Sequence, residues 1–323
     1  MGKDHGIAMR RLVFFSVLLG LPFASAFPQI GGTAGAFSRL GFGARGIGMG
    51  NAMTAVTEGD LVGYYNPAVL AQAEYRNVSL AFGILPFDRK LNFLNYTQPV
   101  EPSAGIFLGV INSSVSNIDG RDSEGEPTGA LQTTENIVML GFATRLRSGL
   151  SIGINLKLLY HHLYTDVNST TVGIDFGALV PAGDHLTLGA SVRDINSKYK
   201  WDTSDLYGEG GRTTENKFPQ LITIGAAYRI EDSLALVSAE IEKSNQATLT
   251  ARVGIEVPLI KEVTVRAGID RIDLKDKGNG IRPSFGFTAR RDFDGWTPGV
   301  NYAFVLEPFT GSPTHFISLS LVL

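Results

Sequence analysis

The sequence predicts an all-β fold, an antiparallel transmembrane β-barrel of about 14 strands with an N-terminal plug segment in its lumen. Three observations predict it. From residue 77 onward the chain runs in segments that alternate apolar and polar residues, a period of two that suits the faces of a strand and not a helix. The connections between these segments sort by length, short and long by turns. After the first 26 residues no stretch approaches the roughly 18 uninterrupted apolar residues of a spanning helix, although 44% of the chain is hydrophobic.

Three regions follow in order: 1–26, 27–76 and 77–323. The first has Lys3, Arg10 and Arg11, then the apolar run LVFFSVLLGLPF, then Ala24-Ser25-Ala26. That is the layout of a secretory signal peptide with cleavage near Ala26, which places the mature chain outside the cytoplasm. With no cysteine anywhere, disulfides, thiolate metal sites and a lipidated N-terminal cysteine are excluded. A net charge of -3 argues against a nucleic-acid partner. The 38 glycines, 19 phenylalanines and 10 tyrosines favour β structure.

The second region contains GFGARG at Gly41 to Gly46, which satisfies the G-x-G-x-x-G pattern of dinucleotide sites. No βαβ unit precedes it and no acidic residue follows at the required distance of about 20, so the cofactor reading is rejected. What remains is a Gly- and Ala-rich stretch without period two, suited to threading close to a barrel wall. Within it Asn66-Pro67-Ala68 reads as a helix start, with Asn66 as the cap and Pro67 in the first turn.

The third region supplies the strands, near 77–84, 89–98, 103–115, 134–147, 150–164, 170–181, 185–196, 217–230, 233–244, 247–258, 262–274, 281–292, 296–307 and 314–323. In SIGINLKLLYHHLY, for example, Ile152, Ile154, Leu156, Leu158 and Tyr160 share one face, and Ser151, Gly153, Asn155 and Lys157 the other. If the first strand runs outward from the periplasm, the even connections VEPS, RSG, AGD, ED, LIK and FDG are periplasmic turns. The two longest connections, 116–134 and 197–216, are then both outer loops. The last strand, THFISLSLVL, ends as outer-membrane barrels do, in a form the barrel-assembly machinery reads, with Leu323 where an aromatic is usual. Outer-membrane lipid is the implied surroundings.

Inward positions of strands nine to twelve carry Glu240, Glu242, Arg252, Glu256, Arg266, Asp270 and Arg290. They read either as a polar lumen that selects a solute or holds the plug, or as charges that neutralise one another. His161 and His162 are neighbours on a strand, so they point to opposite faces and serve no common site. No nucleophile, base and orienter converge, and neither enzyme activity nor a cofactor nor a metal is expected.

The stretch LGFGARGIGMGNAMTAVTEGDLVGYYNPAVLAQ (40–72) resembles the N-terminal signature of the PorV/PorQ outer-membrane family. The resemblance rests on Ala44-Arg45, Gly48-Met49-Gly50, Thr54-Ala55-Val56 and the run from Tyr64 through Tyr65, Asn66, Pro67 and Ala68 to Leu70. That family is similar in architecture to FadL-like fatty-acid transporters, which implies a barrel with an N-terminal hatch containing a comparable Asn-Pro-Ala. It implies transport of small hydrophobic molecules through a plugged lumen. The alternative it implies is an accessory role in type IX secretion, binding exported cargo and translocon proteins. A porin or structural scaffold is the third role compatible with the fold.

Overall fold

A computed structural model of the protein describes residues 32–146, 149–164, 167–230, 234–275, 280–308 and 310–323. The predicted signal peptide and residues 27–31 of the predicted plug lie outside them. In chain order the strands are β1 (Asn77–Ile84), β2 (Arg89–Val100), β3 (Ala104–Arg121), β4 (Pro127–Arg145), β5 (Ser151–Tyr164), β6 (Val167–Pro181), β7 (Leu186–Ile195) and β8 (Lys198–Asp202). There follow β9 (Thr213–Lys217), β10 (Leu221–Arg229), β11 (Leu236–Ser244), β12 (Leu249–Ile260), β13 (Val263–Asp273), β14 (Arg282–Arg290), β15 (Thr297–Val305) and β16 (Thr314–Val322). All but β8 and β9 form one closed barrel of antiparallel neighbours, and β16 returns to β1 with Asn77 opposite Val322.

Period two sets which side chains face out. On β5, Leu156 is 51% exposed while its neighbour Asn155 is 0% exposed. The same alternation puts Leu80, Phe82, Leu140, Phe142, Ile224 and Leu319 on the outer surface. Large apolar side chains exposed on strand after strand mark a surface that something other than water covers. Lipid hydrocarbon covers it, and closure leaves no strand edge unpaired there. The end where β1 begins and β16 finishes is here the inner end. The longest connections, 196–220, 274–281 and 306–313, all lie at the outer end, which also has short ones at 85–88 and 245–248.

Both long outer loops differ from expectation. Residues 116–134 are mostly strand, because β3 and β4 continue past their other neighbours. β2 pairs with β3 only as far as Val115, and β5 with β4 only from Thr134. Beyond that the two strands pair with each other alone, after a bulge at Asn117 (φ 59°). This ribbon stands in water on both faces, so nothing selects alternation and its sequence reads as loop. Residues 197–216 contain the β8–β9 hairpin, which folds back into the mouth: Tyr199 and Trp201 are buried, and Ser169 Oγ accepts from Lys200 N at 2.8 Å. The alternation in KYKWD is a strand signal, but five residues are too few to span a membrane.

The N-terminal segment runs through the barrel, from Gly35 beside Phe218 near the outer mouth to the start of β1 at the inner end. It forms a 3-10 turn (Ala36–Arg39), a short helix α1 (Gly43–Gly48) and a second 3-10 helix (Pro67–Gln72). Inward-facing wall glycines admit its backbone. A Cβ on Gly268 would sit 2.1 Å from Gly50 N, and one on Gly105 2.1 Å from Leu70 O. The helix at Pro67 is 3-10, and Asn66 caps it by accepting from Ala68 N at 3.0 Å.

Candidate functional site

The lumen has two chemically distinct sectors, and the N-terminal segment lies between them. One sector is ionic. Arg252 is its hub, donating Nη1 to Glu240 Oε1 (2.8 Å), Nη2 to Glu242 Oε1 (2.7 Å) and Nε to Asp270 Oδ1 (2.7 Å). Asp270 also accepts from Arg282 Nη1 at 3.1 Å, and Arg282 pairs onward with Glu307. On the other side Arg193 Nη2 donates to Glu242 at 2.7 Å, with its guanidinium 5.3 Å from the Tyr64 ring centre. Further along the wall Lys157 Nζ bridges Asp175 (2.7 Å) and Asp194 (2.9 Å). These groups are nearly all buried, and each cation meets at least one carboxylate, the condition on which charge is retained in a dry interior.

Segment residues join this network. Thr54 N donates to Glu240 Oε2 at 3.1 Å and Asn51 Nδ2 to Asp270 Oδ2 at 3.1 Å. Tyr65 holds the segment to itself, its hydroxyl accepting from Phe42 N and donating to Asn51 Oδ1, both at 2.9 Å. Asn66 Nδ2 donates to Thr54 O (2.8 Å) and to the wall at Ala178 O (3.0 Å). Met49 and Gly50 lie against Gly254 and Gly268, Gly48 lies against the Arg266 side chain, and Pro67 and Ala68 lie against Gly153 and Gly177.

A second ionic group lies nearer the inner end. Arg45, on α1, donates Nε and Nη2 to the two oxygens of Glu256, each at 3.0 Å. Arg266 Nε reaches the same Glu256 at 3.0 Å, and its Nη2 donates to Thr288 Oγ1 at 2.6 Å. Arg290 shares the inward parity of these residues but sits exposed at the inner end of β14, lining a mouth cavity apart from the network. Period two gives the face of a residue and not its depth.

The opposite sector is apolar. Leu91 and Phe93 of β2, Phe107 and Ile111 of β3, Met139 of β4 and Phe316 of β16 face inward and are buried. Phe42 of the segment packs into them, with ring centres 5.1 Å from Phe93, 5.4 Å from Tyr64 and 6.3 Å from Phe107.

The two ends differ. At the inner end a cavity of about 580 Å³ opens beside Arg45, Asp60, Thr288 and Asn301, and another of about 320 Å³ beside Arg145 and His185; Thr57, Glu58 and Arg229 border both. At the outer end the β8–β9 hairpin packs Tyr199 and Trp201 around His161, with ring centres 4.7 and 5.0 Å away. His162 points the other way and bonds Asn168 instead. Burial first, and the neighbouring Glu135 second, push the Tyr199 hydroxyl above the usual tyrosine value; it stays protonated and donates to Glu135 Oε2 at 2.7 Å. Among the described residues no three metal-binding side chains converge.

Sequence reasoning singled out the charges on the strands that are β11–β14 in the structure and missed Lys157, Asp175, Arg193, Asp194, Arg282 and Glu307. For Lys157 and Asp175 the inward parity was present. Arg193 and Asp194 sit at a bulge, where the β6–β7 register shifts and Asp194 takes φ 62°, so parity misleads.

No protein-family model and no curated protein sequence matches the chain. Solved structures do. The Pseudomonas putida toluene transporter TodX is similar at 14% identity and a TM-score of 0.58, over 92% of this chain and 98% of that one. The CymD monoaromatic hydrocarbon channel is similar at 12% identity and a TM-score of 0.63, over 88% and 97%. A Pseudomonas aeruginosa FadL homologue is similar at 12% identity and a TM-score of 0.57, over 87% and 98%. At such identities the likeness concerns the fold alone: this chain shares with them a closed barrel of antiparallel strands.

Proposed function

We propose that the protein is an outer-membrane channel for small hydrophobic molecules, with the N-terminal segment as its plug. The observation that carries this is the apolar sector of the lumen. This wall of phenylalanines, leucine, isoleucine and methionine packs against Phe42 of the segment, so a shift of the segment would lay bare an apolar track on one side of the lumen, opposite the ion pairs of β5–β7 and β11–β14. Passage of an uncharged solute along that side costs little desolvation, whereas the ionic sector repels it. Barrels of the same fold that carry toluene and monoaromatic hydrocarbons support the reading. In purified proteoliposomes, a panel of monoaromatic and aliphatic solutes is expected to enter faster than into protein-free vesicles, and Phe93→Asp is expected to reduce the rate several-fold. Equal rates across the panel would dismiss the proposal.

The projecting β3–β4 ribbon favours a second reading, closer to the PorV/PorQ resemblance of residues 40–72: an accessory to protein secretion that meets exported cargo or a translocon. Its free strand edges suit pairing with an extended polypeptide. Photo-crosslinkers placed in the ribbon distinguish the two, because a pure solute channel yields no polypeptide adduct there.

A further inference from the structure

Between residues 44 and 71 of the N-terminal segment, 57–60 (TEGD) is the only run of consecutive residues that is not buried. It is fixed on either side, by Thr54 N on Glu240 Oε2 (3.1 Å) and by Leu61 O accepting from Thr97 Oγ1 (2.8 Å). In between it has space, since a cavity lies to each side.

Two ties hold it. The Glu58 carboxylate pairs with Arg229, both side chains more than a third exposed. The Arg45 guanidinium donates Nη1 to Glu58 O at 2.6 Å and to Asp60 O at 3.4 Å, and lies against Gly59, whose φ of +68° turns the chain around it. A Cβ on Gly59 would sit 2.9 Å from Arg45 Cζ. With its other edge on Glu256, this one guanidinium pegs three pieces together: the loop, α1 and β12.

We propose that residues 57–60 and Arg45 form a latch at the inner mouth, which must open before α1 can leave the wall. The inference rests on the reading of this segment as a movable plug. The order of release follows from the two ties. A half-exposed ion pair is weak and screened by salt, whereas the buried Arg45–Glu256 pair resists separation while the loop carbonyls hold its third donor. The loop swings first, into the smaller cavity beside Arg145 and His185, and only then is Arg45 free to turn with α1.

The chain has no cysteine, so Ala44→Cys, at a position 0% exposed on α1, gives a single thiol whose labelling by a maleimide reports release of the helix. Thr57→Cys reports the loop itself. In proteoliposomes, Glu58→Gln or Arg229→Gln, whose side chains pair with each other and not with α1 and which leave the Glu58 carbonyl in place, is expected to raise labelling at position 44 about threefold, and Arg45→Met about tenfold, as local opening becomes easier. Arg45→Lys keeps the charge and loses the two-sided geometry; it gives the same readout if the methionine variant fails to fold. Unchanged labelling at position 44 in Glu58→Gln and Arg229→Gln, with position 57 freed, would overturn the latch. Deletion of 32–76 tests the plug separately: a folded barrel that still blocks small solutes would remove the plug reading itself.

Discussion

At the scale of single residues, Arg252 has the most to lose. It pairs with three carboxylates from one buried position, so Arg252→Ala takes from Glu240 its ion partner and from Glu242 and Asp270 one of theirs, leaving them Arg193 and Arg282. Removing one partner of a buried pair costs about 3–5 kcal/mol, and the urea or heat unfolding midpoint in detergent is expected to fall accordingly. Arg290→Ala, exposed at the rim, is expected to leave that midpoint unchanged. Much of this chemistry was legible as parity: Glu240, Glu242, Arg252, Glu256, Arg266 and Asp270 all fall on inward positions of strands with clear alternation. The pairing of Arg45 with Glu256 was not. The two are 211 residues apart, and their meeting depends on how the segment threads the lumen, which no local pattern encodes. The inward wall glycines were a readable clue to that path, for a side chain omitted from a packed wall marks where another backbone must pass.

At the scale of elements, the outer hairpin is expected to respond to alkali. Tyr199 has its hydroxyl value raised by burial and by Glu135, so its neutral form is the one the folded state prefers. A group raised in this way contributes fully below its unfolded value, and that contribution is lost as pH climbs past the ordinary tyrosine value of about 10. Tryptophan fluorescence from Trp201 is expected to shift red over that range as the hairpin lifts. In Tyr199→Phe the alkaline shift is expected to disappear, and persistence of the full shift there would assign it elsewhere. The hairpin escaped the sequence reading because KYKWD is short, and the β3–β4 ribbon because water on both faces erases periodicity. Both lie where the membrane no longer imposes a pattern. The spanning portions, where it does, were readable to within a few residues.

For the molecule as a whole, lipid is the solvent that gives the alternation its meaning. Leu156→Arg, in the middle of the β5 outer face, is expected to destabilise the barrel by about 2–4 kcal/mol, the depth-dependent cost of a charge on the lipid side. The equivalent change at the neighbouring inward Asn155 meets a polar wall, Asp175 included, and is expected to cost less. Folding equilibria in lipid vesicles measure both.

The seam between β1 and β16 has a kinetic consequence. Ladder bonds there join the earliest and the latest strands of the barrel, the most distant pairing this topology contains, and distant pairings are slow to form. Until residues 314–322 are in place the sheet is an open ribbon with two adhesive margins. Residues 32–76, which precede the first strand, are enclosed only when those margins meet, so a truncation ahead of β16 would leave both an aggregation-prone polypeptide and an unhoused N-terminal segment.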